Sequence, residues 1–430
     1  MFLYSYVPVL MFALCDCNNF FVSCERVFRP DLRDKPVVVL SGNDGCVVAR
    51  SNEVKALGIK MGVPFYQIQQ EVKQYGIVHF SSNFALYGDL SGRIMRTLAR
   101  HTPDLQQYSI DEAFLDLSHL HDTTAMRELC LQLRADILKG IGVPVSFGIA
   151  PTKTLCKVAA DYAKHYAGYH GVCAIDSPER RTKALAIYPV EEVWGIGRQS
   201  SAKLQAAGVT TALELAERSE LFVRNLLHQP GVLTWRELNG EPCIENTDRP
   251  QKQSITCSRT FAHPVTDRAQ LEQALSVFCD NVSRQLRRQH SVCRQMVVFA
   301  HTSRFNDDMR AIRQTITLDV PTANTHELTE AMLQTVRRQW QPDTPYKRAG
   351  VILLAIEDEK GVQQSLFDTR DRERDSRLQR AMDAINDRMG RRALTYAQQL
   401  PDPKVAPLYE TDARSPEYTT DIRQLLTLKC

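Results

Sequence analysis

A chain of 430 residues is too long for a single compact core and sets an expectation of about two to four domains. Its 43% hydrophobic and 24% charged residues exclude wholesale disorder, and a net charge of +3 does not by itself mark a nucleic-acid binder. Twelve cysteines scattered singly without a CxxC exclude a zinc-ligand spacing and a secreted disulfide framework, and read as reduced thiols of a cytoplasmic protein.

Met1 to Leu10 is apolar, yet it lacks a basic leader and a small-residue cleavage pattern and is too short to span a bilayer, so no membrane partner is expected. Met11 to Phe21 is an apolar strand interrupted by one carboxylate, Asp16, and the adjacent Phe20 and Phe21 read as core. A short strand follows at Val37 to Leu40, then a polar turn, a second strand and a helix, with Arg50 and Lys55 reading as solvated surface. An amphipathic helix buries Leu90, Ile94 and Leu98 on one face and leaves Asp89 as a surface acid.

Tyr108 to Leu117 reads as a β-hairpin with Asp111 and Glu112 at its tip. This is either a solvated turn or a cation site, because two carboxylates within apolar flanks are costly without a positive partner. Asp16 on a second apolar strand favours the cation: three carboxylates without His or paired Cys form a hard oxygen site suited to Mg²⁺ or Mn²⁺. A helix over Arg127 to Lys139, a strand over VPVSFGIA and a helix capped by Thr152 follow, giving a mixed α/β layer around the carboxylates. Lys153 and Lys157 near the start of that last helix make a phosphate site on physical grounds.

VEEVWGIGRQSSAKLQAAG reads as helix, Gly-Ile-Gly turn, helix. It is either an ordinary αα-hairpin or a helix-hairpin-helix whose Gly195 and Gly197 amides hold a DNA phosphate. A polar, Pro-containing linker covers 244–253. Strands at Met296 to His301, Ile312 to Leu318 and Ala349 to Ile356 then alternate with helices at Ala269 to Gln289 and Thr325 to Gln339. Lys252 to Arg348 carries 14 Lys and Arg against nine acids, an excess above that of the whole chain. Gln363, Leu366 and Phe367 stand in a QQSLF peptide before a charge-rich tail.

CDCNNFFVSCE and YSIDEAF, in this order and about a hundred residues apart, resemble the catalytic core of the Y-family DNA polymerases. NDGCVVARSNEVKALGIKMG, SSNFALYGDLS, PTKTLCKVAA and VWGIGRQSSAKL resemble their UmuC branch. The resemblance implies an α/β (α+β) multidomain, right-hand polymerase. Its parts are an upstream-start extension at 1–10, a palm strand at 11–25, small fingers at 26–80, palm at 81–190 and a helix-hairpin-helix thumb at 191–243. A little finger at 254–358 and a clamp-binding peptide with C-terminal tail at 359–430 follow the linker.

It further implies error-prone translesion synthesis of the SOS response by two-metal nucleotidyl transfer, with two Mg²⁺ ions for which Mn²⁺ substitutes. Asp16, Asp111, Glu112 and the Cys17 carbonyl would hold the ions. Arg50, Lys55 and Lys157 would hold the triphosphate, with Lys153 the weaker candidate, and Phe21 would be the steric gate against ribose. The implied partners are primer-template DNA, dNTPs, a UmuD′ dimer on the SPEYTTDIRQLL tail, the RecA filament, and the β sliding clamp through Gln363, Leu366 and Phe367. The alternatives are a DinB-type polymerase independent of UmuD′, a catalytically inactive DNA-binding scaffold, and a metal nuclease.

Overall fold

The computed structural model describes residues 10–244, 251–303, 305, 309–363, 368, 370–390, 393–400 and 411–425. The chain forms two compact units: Met1–Thr247 with Thr411–Cys430, and Asp248–Glu410. Their division lies inside the 244–253 stretch. Among the described residues no helix is long and apolar enough to cross a membrane.

The described residues of the first unit form eight strands: β1 Phe12–Cys17, β2 Val37–Leu40, β3 Val47–Arg50, β4 Val78–Ser81, β5 Leu105–Gln107, β6 Glu112–Asp116, β7 Val145–Ala150 and β8 Val172–Ala174. Its helices are α1 Phe20–Phe28, α2 Asn52–Ala56, α3 Gln69–Tyr75, α4 Phe84–Leu98, α5 Thr123–Gly140, α6 Lys153–His165, α7 Pro178–Ile187, α8 Arg198–Ala206, α9 Ala212–Ala216 and α10 Glu220–Leu238.

Five strands form one sheet in the order β5-β6-β1-β7-β8, with β1 antiparallel to both neighbours. Every residue of β7 is buried, because helices cover both faces of the sheet. One face packs α1, α4 and α5 through Val22, Leu90, Ile94, Leu133 and Ile137. The other packs α6, whose Leu155, Ala159 and Ala163 join Leu204, Leu215 and Val232 of α8 to α10. Gly148 is required at that second contact: a Cβ there would lie 2.1 Å from the Cys156 carbonyl and 2.2 Å from the Ala160 nitrogen.

The smaller sheet, β3-β2-β4, has its own core of Val38, Leu40, Val47, Val54 and Ile68. Residues 411–425 lie against this unit, where Tyr418 is buried and stacks on Phe28 at 4.6 Å.

The second unit is a four-stranded antiparallel sheet in the order β11-β10-β12-β9. Its strands are β9 Ile255–Val265, β10 Ser291–His301, β11 Ala311–Thr322 and β12 Tyr346–Asp358. α11 Arg268–Arg288 and α12 Thr325–Gln339 cover one face, burying Ala349, Val351 and Leu353 of β12. A further helix, α13 Arg372–Met389, pairs its Asp383 and Asp387 with Arg284, Arg287 and Arg288 of α11. Part of the positive excess counted over Lys252 to Arg348 is therefore neutralised within the unit. The stretch after 359 also divides, with α13 belonging to the second unit and 411–425 to the first.

Candidate active site

Asp16 is the penultimate residue of the central strand β1, in register with Glu112 on one side and Ser146 on the other. Asp111 precedes β6 in the hairpin turn, and its carbonyl accepts a hydrogen bond from the Cys17 N–H at 2.9 Å. Ser109 folds the tip: its Oγ donates to Asp111 Oδ1 at 2.6 Å and accepts from the N–H groups of Asp111 and Glu112 at 3.2 and 3.0 Å. Adjacent carboxylates would face opposite ways along a regular strand; this turn lets both act on Asp16.

Burial pushes the Asp16 carboxyl up to about 6, Lys164 opposes the rise, and the charges of Glu112 and Asp111 reinforce it. Two ammonium groups from one face of α6 offset the cluster. Lys157 Nζ lies 2.6 Å from Glu112 Oε1, and Lys164 Nζ lies 2.5 Å from Asp16 Oδ2. Lys157 also sits 4.6 Å from the Tyr108 ring centre and 5.4 Å from that of Trp194. Trp194 Nε1 donates to Tyr108 Oη at 3.1 Å, which ties the Gly-Ile-Gly loop to the hairpin.

Among the described residues no three His, Cys, Asp or Glu side chains stand close enough to chelate an ion as they are. The donor chemistry nevertheless fits a hard divalent cation. All three acidic groups are oxygen donors, and the buried Asp16, raised first by desolvation and further by the charges of Glu112 and Asp111, is a carboxylate that a bound cation would stabilise in its ionised form.

Arg50, at the end of β3, donates to the Ile59 carbonyl. Lys55 on α2 is held below its ordinary value, first by desolvation and then by the charges of Arg50 and Lys164. Lys55 therefore lies in the fields of Arg50, Lys164 and Asp16 together, a grouping of cations that an oligophosphate stabilises. Lys153 is turned away from this group: it is buried, donates to Gln106 Oε1 at 2.7 Å and lies over Phe114.

Phe21 stacks on Tyr87 at 4.6 Å with Phe84 edge-on at 5.8 Å, whereas Phe20 is buried. The helix expected before the Gly-Ile-Gly turn is only a 3-10 turn, Val190–Glu192, because Pro189 precedes it in extended backbone and the chain extends again at Val193. Gly195 has φ +90° and a Cβ on it would meet Thr234 Oγ1 at 2.5 Å, so it is needed for the turn itself. Gly197 caps α8 with open space around it. In the second unit, the face of β12 opposite its core carries Arg348, level with His301, while Arg313 pairs with Phe299. Gln363 is exposed; Leu366 and Phe367 lie outside the described residues.

Lys164 was not singled out from the sequence. It stands seven residues after Lys157, two helical turns along the same face, and that spacing was the available signal. Trp194, Glu25 and Ser415 were missed because their partners are remote in sequence.

Residues 15–161 match the model of the impB/mucB/samB family, and residues 252–366 match that family's C-terminal domain. Residues 376–428 match a domain of unknown function. The chain is 39% identical to "Protein UmuC" of Salmonella typhimurium, over 97% of this chain and 100% of that one. It is 36% identical to "Protein MucB" of Escherichia coli, over 96% and 99%. A Y-family polymerase chimera of Dbh and Dpo4 superposes with a TM-score of 0.63 at 21% identity, over 81% of this chain and 99% of that one. With its carboxylates on the central strand and adjoining hairpin of a five-stranded sheet, the chain belongs to the impB/mucB/samB family, in the UmuC branch of the Y-family DNA polymerases.

Proposed function

We propose that this chain is an error-prone DNA polymerase that copies past lesions by template-directed transfer of dNTPs, with Asp16, Asp111, Glu112 and the Cys17 carbonyl holding two Mg²⁺ ions. When bound, the ions supply activation of the primer hydroxyl and neutralisation of developing phosphate charge. Lys157 orients Glu112 from its aromatic cradle, and Lys164 steadies the Asp16 carboxylate. Lys164, Arg50, Lys55 and Lys157 would hold the triphosphate.

Phe21 fills the space of a ribose 2′-hydroxyl. The Gly195–Gly197 loop and the Arg313 and Arg348 face grip backbone phosphates, so binding is salt-sensitive and indifferent to sequence. We assign fingers to 26–80, palm to 11–25 and 81–190, thumb to 191–243 and little finger to 254–358. Partners extend this core. The sliding clamp docks on Gln363, Leu366 and Phe367, and a UmuD′ dimer and the RecA filament license synthesis in the cytoplasm.

The observation that carries this reading is the in-register pairing of Asp16 with Glu112 beside Asp111, faced by two lysines from one helix. The test is primer extension opposite an abasic site with Mg²⁺ and dNTPs, with and without UmuD′, RecA filament and clamp. Asp111→Ala and Glu112→Ala are expected to abolish extension while DNA binding persists. Extension retained by either purified variant refutes the assignment.

A further inference from the structure

We propose that the C-terminal segment around Ser415 is part of the nucleotide site, positioning the Phe21 ring through Glu25 and Tyr87. The proposal rests on the reading of Phe21 as the ribose gate.

The segment is held by directed bonds. The Ala413 carbonyl accepts from Ser81 N–H at 3.1 Å, and the Ala413 N–H donates to Ser81 Oγ at 3.1 Å. Asp44 Oδ2 accepts from both Asp412 N–H and Ser81 Oγ at 2.9 Å. Asn83, which caps α4, donates to the Ser415 carbonyl and hydroxyl at 3.0 Å each and to the Pro416 carbonyl at 3.2 Å. Tyr418 stacks on Phe28 of α1. Both helices that carry the gate pocket, α1 and α4, are thus tied to the tail.

Inside, the tail completes a carboxylate site. Glu25 on α1 is fully buried, and its Oε1 accepts from Tyr87 Oη at 2.6 Å and from Ser415 Oγ at 3.0 Å. Its Oε2 is buried without a hydrogen-bond partner among the described residues. A buried carboxylate with few donors is sensitive to losing any one of them. Tyr87 is itself fully buried, and its ring lies parallel to Phe21 with an interplanar angle of 15°. The bond from the Tyr87 hydroxyl pins the far end of that ring and the stack transmits its position, so Ser415 acts on Phe21 across three contacts, through Glu25 and Tyr87. Removing the tail donor lets water reach Glu25 and lets the Tyr87–Phe21 stack tilt, which admits the ribose hydroxyl.

The experiment uses the full chain with a primer-template. Single-nucleotide insertion gives kcat/KM for a dNTP and its matching rNTP, and a dideoxy-terminated primer gives Kd for the same pair without chemistry. Phe21→Ala is expected to collapse discrimination by both readouts. Ser415→Ala and Tyr87→Phe are each expected to lower the dNTP/rNTP ratio about fivefold, the scale of one hydrogen bond, with Ser415→Thr restoring it. Tyr418→Ala, which frees the segment without touching Glu25, is expected to act in the same direction. If Phe21→Ala changes the ratio while Ser415→Ala, Tyr87→Phe and Tyr418→Ala leave it within about twofold, less than one hydrogen bond, the tail plays no positioning part and the gate reading stands. If Phe21→Ala leaves the ratio intact, the gate reading fails and the proposal with it.

Discussion

Gly148→Ala is the sharpest test of how the sheet positions the site. A methyl group at this position would lie 2.1 and 2.2 Å from backbone atoms of α6 and 2.9 Å from a third, none of them the flexible end of a side chain. The helix must retreat by roughly 1.5 Å to reach ordinary van der Waals contact. Overpacking of this kind costs about 1–3 kcal/mol, and a clash with backbone belongs at the upper end, near 3. A unit of this size loses about 2–4 °C per kcal/mol, so thermal unfolding should fall by roughly 6–12 °C. The helix that moves carries both Lys157 and Lys164, now 2.6 and 2.5 Å from Glu112 and Asp16. Primer extension should therefore drop further than the unfolded fraction explains, measured well below the new midpoint. A Gly148→Ala protein with unchanged midpoint and rate would refute the claim that α6 is seated on β7 at this residue.

Lys164→Ala should raise the KM for dNTP about tenfold or more, the scale of a charge-assisted contact to phosphate; steady-state insertion kinetics with an unchanged KM would remove Lys164 from the triphosphate site. Glu237, almost fully buried at the end of α10, accepts from the N–H groups of Thr154, Cys243 and Ile244 at 2.9, 3.0 and 3.1 Å. Glu237→Ala leaves those donors unmet and should cost about 3 kcal/mol or more by denaturant unfolding, with Glu237→Gln recovering much of it; equal stabilities would show that the carboxylate does not tie α10 to α6.

What could be read from the sequence follows from how local its physical cause is. Strand β2 and the buried positions Leu90, Ile94 and Leu98 are set by hydrophobic periodicity, and the Thr152 cap by its neighbour three residues on. Asp16, Asp111 and Glu112 stood out because charge in an apolar strand is costly, and the fold pairs Asp16 with Glu112. The side-chain partners were hidden, since Lys157 meets Glu112 45 residues away and Ser415 meets Glu25 390 residues away. The helix expected before Gly195 failed because acidic residues after Pro189 mimic a helix start while the chain completes only one 3-10 turn. A charge count over Lys252 to Arg348 could not see that α13, further along the chain, supplies the counter-charges.

The electrostatics of Asp16 set a pH dependence whose sign is fixed by its direction of shift. Its folded value, about 6, lies above the ordinary value of 3.8, so the folded, ion-free chain favours the protonated form. Stability from this group is present at low pH and is lost as pH rises from about 4 through 6, by about 3 kcal/mol at most for a shift of roughly two units. A divalent ion requires the deprotonated form and restores what deprotonation removed. Mg²⁺ should therefore raise the unfolding midpoint clearly at pH 7.5 and little at pH 5, where each unit below 6 weakens binding about tenfold. Differential scanning fluorimetry with and without Mg²⁺ at the two pH values measures this, and Asp16→Asn should abolish the difference. Equal Mg²⁺ shifts at both pH values, or an Asp16→Asn chain that behaves as the unchanged one, would mean that the ion is held elsewhere.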